Sequence, residues 1–266
     1  MSDGVKRWDI SYQAHNQARR PAFVVLPAEY GPQRPTPRLP LVIAPHGRGV
    51  KPETNATMWG NLPALGGFAV ACPGGMGRRL RLKSWGYRGQ IADLARMREV
   101  VTTKLPWLRL SAKTYAVGGS MGGQETLLLL GQYPNLLDGA VAIDSVTNFY
   151  RRYADFARSP RTLGLQAAAR VEVGGTPRTN PMGYVLRSPT HWIGDVARSG
   201  VPLQLWWSIA DEVVVDQIHQ SAKFYRDVRA LGPRGPVESV TGFWGHSEAF
   251  REIQLPGALR FLGLLR

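Results

Sequence analysis

Cysteine is almost absent from the sequence, since Cys72 is the only one in 266 residues. A single thiol excludes an internal disulfide and a multi-cysteine metal cluster, and its position in an apolar run predicts a buried structural role. No apolar run reaches the roughly 18 residues that a membrane-spanning helix needs, so we expect no membrane partner. The first ten residues carry four charged side chains and no apolar signal segment, which predicts a cytoplasmic location.

Acidic residues are scarce as well, with 19 aspartates and glutamates against 33 lysines and arginines and a net charge of +14. Such a charge can serve a nucleic acid, a membrane surface or an anionic substrate. The local concentrations, residues 78–83 and the pair Arg151-Arg152, lie in no nucleic-acid-binding motif. We therefore expect a solvated basic surface without a specific nucleic-acid partner, and an anionic substrate stays open.

Signature motifs of several enzyme classes are also missing. The chain has no P-loop, no G-x-G-x-x-G after a strand and no H-E-x-x-H. These absences argue against the nucleotide-dependent, dinucleotide-dependent and zinc-dependent classes that carry those motifs. We therefore expect no cofactor and no bound metal.

What the sequence does contain is a regular alternation of apolar strands and helices. Its length and its hydrophobic fraction of 44% predict one domain spanning 1–266. Several strands are continuous apolar runs, as in a mostly parallel sheet that is covered on both faces. Helical spacing predicts helices over Ile91–Leu105, Gln124–Tyr133 and Val215–Leu231. The predicted strands are Trp8–Tyr12, Ala22–Leu26, Leu41–Ala44, Phe68–Cys72, Thr114–Gly118, Ala140–Ile143, Leu203–Trp207 and Val237–Val240.

A long connection follows the sixth predicted strand. About 60 residues separate it from the seventh, more than a direct crossover needs. We predict an insertion over 145–200 that forms a small lid or a wall of the substrate pocket. The candidate pocket residues are aromatic side chains of this segment and of loops elsewhere: Trp85, Tyr87, Phe149, Tyr150 and Trp244.

The strongest chemical signal is the run Gly118-Gly119-Ser120-Met121-Gly122-Gly123, which contains G-x-S-x-G between a predicted buried strand and a predicted helix. The glycines allow a strained turn and a close approach of strand and helix. In this context Ser120 is the candidate nucleophile. The amide of Met121, at the helix N-terminus, is a candidate donor to an oxyanion.

A second oxyanion donor is expected from the loop after an earlier buried strand. The segment Pro45-His46-Gly47-Arg48-Gly49 is in that place. Its glycines let the backbone turn amides toward a pocket. The amide of Arg48, with that of Gly49 as the alternative, is the candidate, and His46 is expected to have a structural hydrogen-bonding role.

The catalytic base can be selected from the five histidines by its position in the chain. Where the nucleophile lies on a G-x-S-x-G turn, the catalytic residues are expected in the order serine, acid, histidine along the chain. Two histidines precede Ser120, one precedes the last two strands, and one lies inside a predicted helix. His246 remains, in a glycine-flanked loop after the last strand. We predict that this loop carries the imidazole to Ser120.

The acid should follow the seventh strand. Asp211 is the candidate, since a carboxylate there would fix the tautomer of the imidazole and stabilise the imidazolium. Asp216 is the rival and Glu212 a third choice. Asp216 is interpreted as a helix-capping residue, which favours Asp211.

These segments resemble the α/β-hydrolase superfamily, and more closely its prolyl-oligopeptidase-like and esterase branch. The resemblance rests on the elbow at 118–123, the segment 174–189, and the segments around Asp211 and His246, and it covers the chain from about Leu41 onward. It implies an α/β-hydrolase fold: a mostly parallel central sheet, helices on both faces and a small lid insertion after the sixth strand.

The resemblance also implies a serine hydrolase. Peptidases of that branch carry a large N-terminal propeller, whereas only about 40 residues precede Leu41 here. We therefore expect a standalone hydrolase that cleaves carboxylic esters through an acyl-enzyme on Ser120, with a small-molecule ester as its partner. The alternative is a prolyl-oligopeptidase-like peptidase or amidase that acts on short peptides.

Overall fold

The computed structural model describes residues 4–34, 37–158, 162–248 and 250–266. Parts of two predicted segments, residues 1–3 of the N-terminus and 159–161 of the insertion, lie outside them. The described residues form an eight-stranded sheet with strand order β1-β2-β4-β3-β5-β6-β7-β8. The strands are β1 (Val5–Gln13), β2 (Arg19–Pro27), β3 (Leu39–Ile43), β4 (Ala69–Pro73), β5 (Leu110–Gly119), β6 (Gly139–Ile143), β7 (Leu203–Ser208) and β8 (Val237–Gly242).

The sheet is mostly parallel, as predicted. β2 pairs antiparallel with β1 and with β4, whereas β4, β3, β5, β6, β7 and β8 run parallel to one another. All eight predicted strands are confirmed, with small differences at their ends. Because parallel strands end at the same edge of a sheet, the loops that follow β3, β5, β7 and β8 meet there.

Helices cover both faces of the sheet, which is also confirmed. The helices are α1 (Pro52–Met58), α2 (Leu62–Gly66), α3 (Arg88–Ala95), α4 (Met97–Lys104), α5 (Met121–Gln132), α6 (Phe149–Asp155), α7 (Leu163–Val173), α8 (Pro181–Val185), α9 (Ile193–Ser199), α10 (Ser221–Ala230) and α11 (Leu255–Phe261). One apolar cluster joins the sheet to α3, α4, α5, α9 and α10, and the other joins it to α1, α2 and α11.

β3 shows why its sequence is apolar throughout. Leu41 and Ile43 pack into the first cluster, whereas Val42 and the following Ala44 pack into the second. A strand that is buried on both faces has no polar alternation. Cys72 of β4 is fully buried in the same way, and burial raises the pKa of its thiol.

Two predicted helices are interrupted. The segment Ile91–Leu105 forms α3 and α4, which meet at Arg96 with φ −90° and ψ 0°. The segment Val215–Leu231 begins with a short 3-10 helix over Gln217–His219, and the chain bends at Gln220 before α10 starts. The apolar spacing persists across both breaks, which is why the sequence pattern did not reveal them.

The region 145–200 contributes α6 to α8 and the crossover helix α9. A third apolar cluster holds it against the body of the molecule, with Phe149 and Tyr184 packed near Trp85 and Met121. Glu172 adds a polar anchor: its buried carboxylate pairs with Arg187 at 3.2 Å and accepts hydrogen bonds from the amides of the basic loop at residues 78–80. The described residues between β6 and β7 are therefore helical, whereas their interpretation as an insertion and a lid stays a prediction.

Helix length also bears on membranes. Within the described ranges, no helix combines the length and the apolar character that crossing a bilayer requires. The cytoplasmic location and the single domain over 1–266 stay predictions.

Candidate active site

Ser120 occupies the sharp turn between β5 and α5. Its backbone has φ 57° and ψ −123°, a conformation that costs a non-glycine residue roughly 1–3 kcal/mol and marks functional sites. The turn is packed so tightly that a Cβ on Gly118 would lie 2.4 Å from the carbonyl oxygen of Gly122. A Cβ on Gly122 would lie 2.3 Å from the carbonyl oxygen of Pro45. The predicted strand-turn-helix context of Ser120 is confirmed.

Two backbone amides were predicted to stabilise an oxyanion. Met121 is the first residue of α5, and the first amides of a helix have no intrahelical acceptor. The amide of Gly49, in contrast, donates to the carbonyl of Leu82 at 2.7 Å. The amide of Gly49 is therefore not free to bind an oxyanion, and the prediction of Gly49 as the alternative donor is wrong. The amide of Arg48 remains the candidate second donor.

His246 and Asp211 come together as the sequence predicts. The imidazole Nδ1 lies 2.9 Å from Asp211 Oδ2. Since a carboxylate accepts hydrogen bonds, Nδ1 carries the ring proton, and Nε2 has a free lone pair with which it can take a proton from another group. Asp211 is buried, and its Oδ1 accepts the amides of Val213 at 2.9 Å and Val214 at 2.8 Å. Gln217 donates to Oδ2 at 3.0 Å. These bonds fix the carboxylate and, through it, the imidazole.

The rival acid, Asp216, is used differently. Its carboxylate binds Arg151 and the imidazole of His219, and these partners hold its pKa below the usual range in spite of partial burial. Asp216 stands at the N-cap position of the short 3-10 helix, as interpreted, but its side chain makes no capping hydrogen bond. The carboxylate binds Arg151 and His219 instead, and it is Asp211 that binds the imidazole of His246.

Asp144 is a residue of the site that the sequence analysis missed. It follows β6, is fully buried, and accepts hydrogen bonds from the amides of Ser208 and Ser247 at 3.0 and 3.2 Å and from the indole of Trp244 at 3.0 Å. Burial raises its pKa, and the bonds from Trp244 and Ser247 oppose that rise. Asp144 thus ties the loop of His246 to the sheet. Its position at a strand end was the available signal.

Asp144, Asp211 and His246 also form a compact group whose ligand atoms lie within 4.8 Å of one another. Both carboxylates already accept amide hydrogen bonds, and Nδ1 of the imidazole is directed at Asp211. Hydrogen bonds within the protein therefore explain why these three side chains lie close together.

His46 has the structural role that was predicted. It is fully buried, its Nδ1 donates to the carbonyl of Gly47 at 2.8 Å, and its Nε2 accepts the amide of Gly75 at 2.9 Å. Burial lowers its pKa, which favours the neutral ring that these two bonds require.

Ser120 and His246 line one pocket of about 380 Å³. The Ser120 hydroxyl makes no hydrogen bond within the described ranges, and the bond between a nucleophile and its base is commonly long before substrate binds. The lining residues are Pro45, Gly47, Arg48, Val50, Asn55, Met58, Gly119, Ser120, Val213, His246, Ser247, Glu248, Phe250, Arg251 and Glu252. The pocket therefore lies between the loop after β3, α1 and the segment after β8.

The five aromatic residues that were expected in the pocket are not among those lining it. Trp85 and Phe149 are buried and stack on each other with ring centroids 5.7 Å apart, in the cluster that holds the insertion. Tyr87 contacts His15 and Arg187, and Tyr150 packs edge-on against Tyr184. Trp244 supports the histidine loop through Asp144. The large apolar surfaces of Trp85 and Phe149 therefore stabilise the body of the molecule, whereas Tyr150 is exposed.

A buried acid lies behind the elbow. Glu125 of α5 is fully buried, and Ser84 donates to its carboxylate while also contacting the sulfur of Met121 at 3.7 Å. Burial raises the pKa of Glu125 to about 8, and the hydrogen bond from Ser84 together with the nearby amide of Gln90 offsets only part of this. The native state therefore binds this proton more tightly than the unfolded chain does.

This linkage predicts a loss of stability at alkaline pH. The contribution of Glu125 is complete below the ordinary glutamate pKa of 4.5 and is lost as the pH rises through about 8. We expect the Tm of the wild type to fall more between about pH 5 and pH 9 than that of Glu125→Gln, measured by thermal unfolding. The exposed Glu99→Gln is the matched control and should follow the wild type. Parallel profiles for all three proteins would contradict the assignment.

Comparisons with known proteins bear on the fold. No family model and no curated protein matches the sequence. Among solved structures, the chain is similar to FphF, a fluorophosphonate-binding serine hydrolase of Staphylococcus aureus, with a TM-score of 0.70 and 14% identity. That match covers 98% of this chain and 99% of the other.

Two further structures are similar. One is the S-formylglutathione hydrolase FrmB of Staphylococcus aureus, with a TM-score of 0.65, 13% identity, and coverage of 100% of this chain and 98% of that one. The other is the acylaminoacyl peptidase of Pyrococcus horikoshii, with a TM-score of 0.68 and 16% identity. The match covers 97% of this chain, which spans 40% of the peptidase.

The sheet has one antiparallel strand, β2, among parallel ones, and its strand order and the similar structures point to the same fold. The chain has the α/β-hydrolase fold, and the predicted fold class is confirmed. Identities this low show the fold alone and not the chemistry of the site.

Proposed function

We propose that this protein is a serine hydrolase that cleaves small carboxylic esters through an acyl-enzyme on Ser120. The observation that carries the proposal is the pocket in which Ser120, on its strained turn, faces the same space as the His246 imidazole. Asp211 holds that imidazole by Nδ1 at 2.9 Å. A nucleophile, a base and a group that orients the base are the parts that covalent acyl transfer needs.

The chemical steps follow from these positions. The Ser120 oxygen attacks the ester carbonyl while His246 Nε2 takes the hydroxyl proton, and the amides of Met121 and Arg48 donate to the oxyanion. The C–O bond to the alcohol then breaks, and the imidazolium returns its proton to the leaving oxygen. A water molecule, deprotonated by the same nitrogen, then attacks the acyl carbon. The C–O bond to Ser120 breaks, the imidazolium returns its proton to the Ser120 oxygen, and the acid is released.

The size of the pocket supports a small substrate. Its volume of about 380 Å³ is at the lower end of the range for small-molecule sites. The similar structures include proteins named as a serine hydrolase, an S-formylglutathione hydrolase and an acylaminoacyl peptidase. We place this chain in the prolyl-oligopeptidase-like and esterase branch on that basis, with ester cleavage as its reaction and short-peptide cleavage as the alternative.

A matched substrate pair tests the choice between ester and amide. An amide has the poorer leaving group and needs accurate proton delivery from His246 together with tight binding along the substrate. We expect kcat/KM for an unactivated alkyl ester to exceed that for the corresponding amide by more than the ratio of their uncatalysed rates. Ser120→Ala is the control for background hydrolysis. An aminoacyl anilide or short peptide as the best substrate would replace the esterase proposal with the peptidase one.

A further inference from the structure

Arg48 is an unusual lining residue of the pocket that contains Ser120. Its side chain is partly buried in the wall formed by the loop after β3. Within the described part of the chain, its guanidinium has neither an ion pair nor a hydrogen bond, although other arginines there have such partners. A guanidinium carries five N–H donors and is charged at any physiological pH. A guanidinium that lines a pocket and has no protein partner is available to an anionic ligand.

The surroundings of Arg48 do not neutralise it. Burial is the cause that lowers its pKa, with no neighbouring carboxylate opposing the change. Glu248 and Glu252 also line the pocket, but both are exposed, and the carboxylate of Glu248 accepts the amide of Gly245 at 2.7 Å. Arg251 lies beside them on the same segment. The carboxylates of the pocket are therefore at its solvent-exposed side, without an ion pair to Arg48.

A second cation lies behind the pocket wall. Arg152 is almost fully buried, donates to the carbonyl of Val213, and stacks on Phe156 with its guanidinium 4.4 Å from the ring centroid. Burial lowers its pKa to about 10, and repulsion from Arg48 adds to that effect against the attraction of Asp155 and Asp211. Val213 itself lines the pocket. The positive potentials of Arg48 and Arg152 therefore reach the same region.

The geometry points to an anionic substrate: the side chain of Arg48 binds a carboxylate group that the ester carries, and thereby selects monoesters of dicarboxylic acids or hydroxy acids that are acylated on the hydroxyl group. The inference rests on the proposed esterase function and names its substrate class. Arg48 then has two separate roles, with its amide directed at the oxyanion and its side chain directed at the remote charge. Charge-assisted bonds of guanidinium to carboxylate have the required strength and directionality.

Two pairs of esters test this, each differing by one charge. In the first pair the carboxylate is on the acyl side: p-nitrophenyl hydrogen glutarate against p-nitrophenyl valerate. In the second it is on the alcohol side: the acetate of 4-hydroxybenzoate against the acetate of its methyl ester. The measured quantity is the ratio of kcat/KM for the anionic ester to that for the neutral ester, corrected for spontaneous hydrolysis.

We expect Arg48→Met to lower this ratio by about 10- to 100-fold in one of the two pairs, the loss associated with one charged hydrogen bond. Arg48→Lys should restore part of it. The matched control is Arg229→Met, which removes the same charge from an exposed site on the last turn of α10, at the opposite end of the sheet. It should leave the ratio unchanged, whereas equal losses in both variants would assign the preference to net charge alone and overturn the role of Arg48.

An unchanged ratio for Arg48→Met in both pairs would also overturn the inference. If the wild type still hydrolysed the neutral esters, the proposed esterase function would be unaffected by that result. Binding provides a readout that does not depend on turnover. Glutarate should bind to Ser120→Ala, and calorimetry should show weaker binding when Arg48→Met is added. Absence of ester turnover by the wild type, together with Arg48-dependent glutarate binding, would contradict the esterase proposal and leave the anion site standing.

Discussion

Replacing His246 by alanine is expected to lower kcat for ester hydrolysis by about 10⁶-fold, as loss of the base does in a serine hydrolase whose parts act as a unit. Without the imidazole, the Ser120 hydroxyl keeps its proton and the leaving alcohol receives none. Steady-state kinetics with a saturating chromogenic ester measures the change. KM should change far less than kcat, because the ester is held by other groups of the pocket.

His219→Ala is the control for this experiment. His219 also binds an aspartate by Nδ1, at 2.7 Å, but its partner is Asp216 and its side chain is half exposed. Its loss should leave kcat close to that of the wild type. Substantial activity in His246→Ala, or equal losses in the two variants, would mean that His246 is not the base.

The second large effect concerns the acid. Asp211→Asn should lower kcat by about 10⁴-fold, since an amide NH2 in place of Oδ2 donates to Nδ1 and holds the imidazole in the wrong tautomer. The amide hydrogen bonds from Val213 and Val214 to Oδ1 can persist in the variant, which favours a protein that stays folded. A normal circular dichroism spectrum and a comparable Tm would show that the loss is chemical.

Asp216→Asn provides the matched comparison, because the two acids are five residues apart and follow the same strand. Asp216 binds Arg151 and His219 and has no contact with His246. We expect a small effect on kcat. A larger loss in Asp216→Asn than in Asp211→Asn would reverse the assignment.

The sequence predicted the framework of the site because that framework depends on local rules. β3 and β6 are continuous apolar runs, as expected for strands buried on both faces, and the glycines around Ser120 mark the tight turn. Chain order then selected His246 and Asp211, which the structure brings to 2.9 Å. The strands and the turn can each be recognised from a few neighbouring residues, and the selection of Asp211 and His246 needs only their positions relative to those strands.

The pocket could not be predicted in the same way. Its walls come from α1 and the segment after β8, whose short helices lack a clear apolar period, and its lining includes more small and charged residues than aromatic ones. Aromatic residues such as Trp85 and Phe149 were expected there because large apolar side chains often line pockets, but here they are core residues. Asp144 was missed because its role depends on a loop about 100 residues away along the chain.

Covalent labelling of Ser120 tests the central proposal most directly. A fluorophosphonate reacts with a serine only where a base and an oxyanion site activate the hydroxyl. We expect the wild type to be labelled, with the adduct found on Ser120 by peptide mass spectrometry, and we expect Ser120→Ala to remain unlabelled. Equal labelling of both proteins, or an adduct on another residue, would contradict the assignment of Ser120 as the nucleophile.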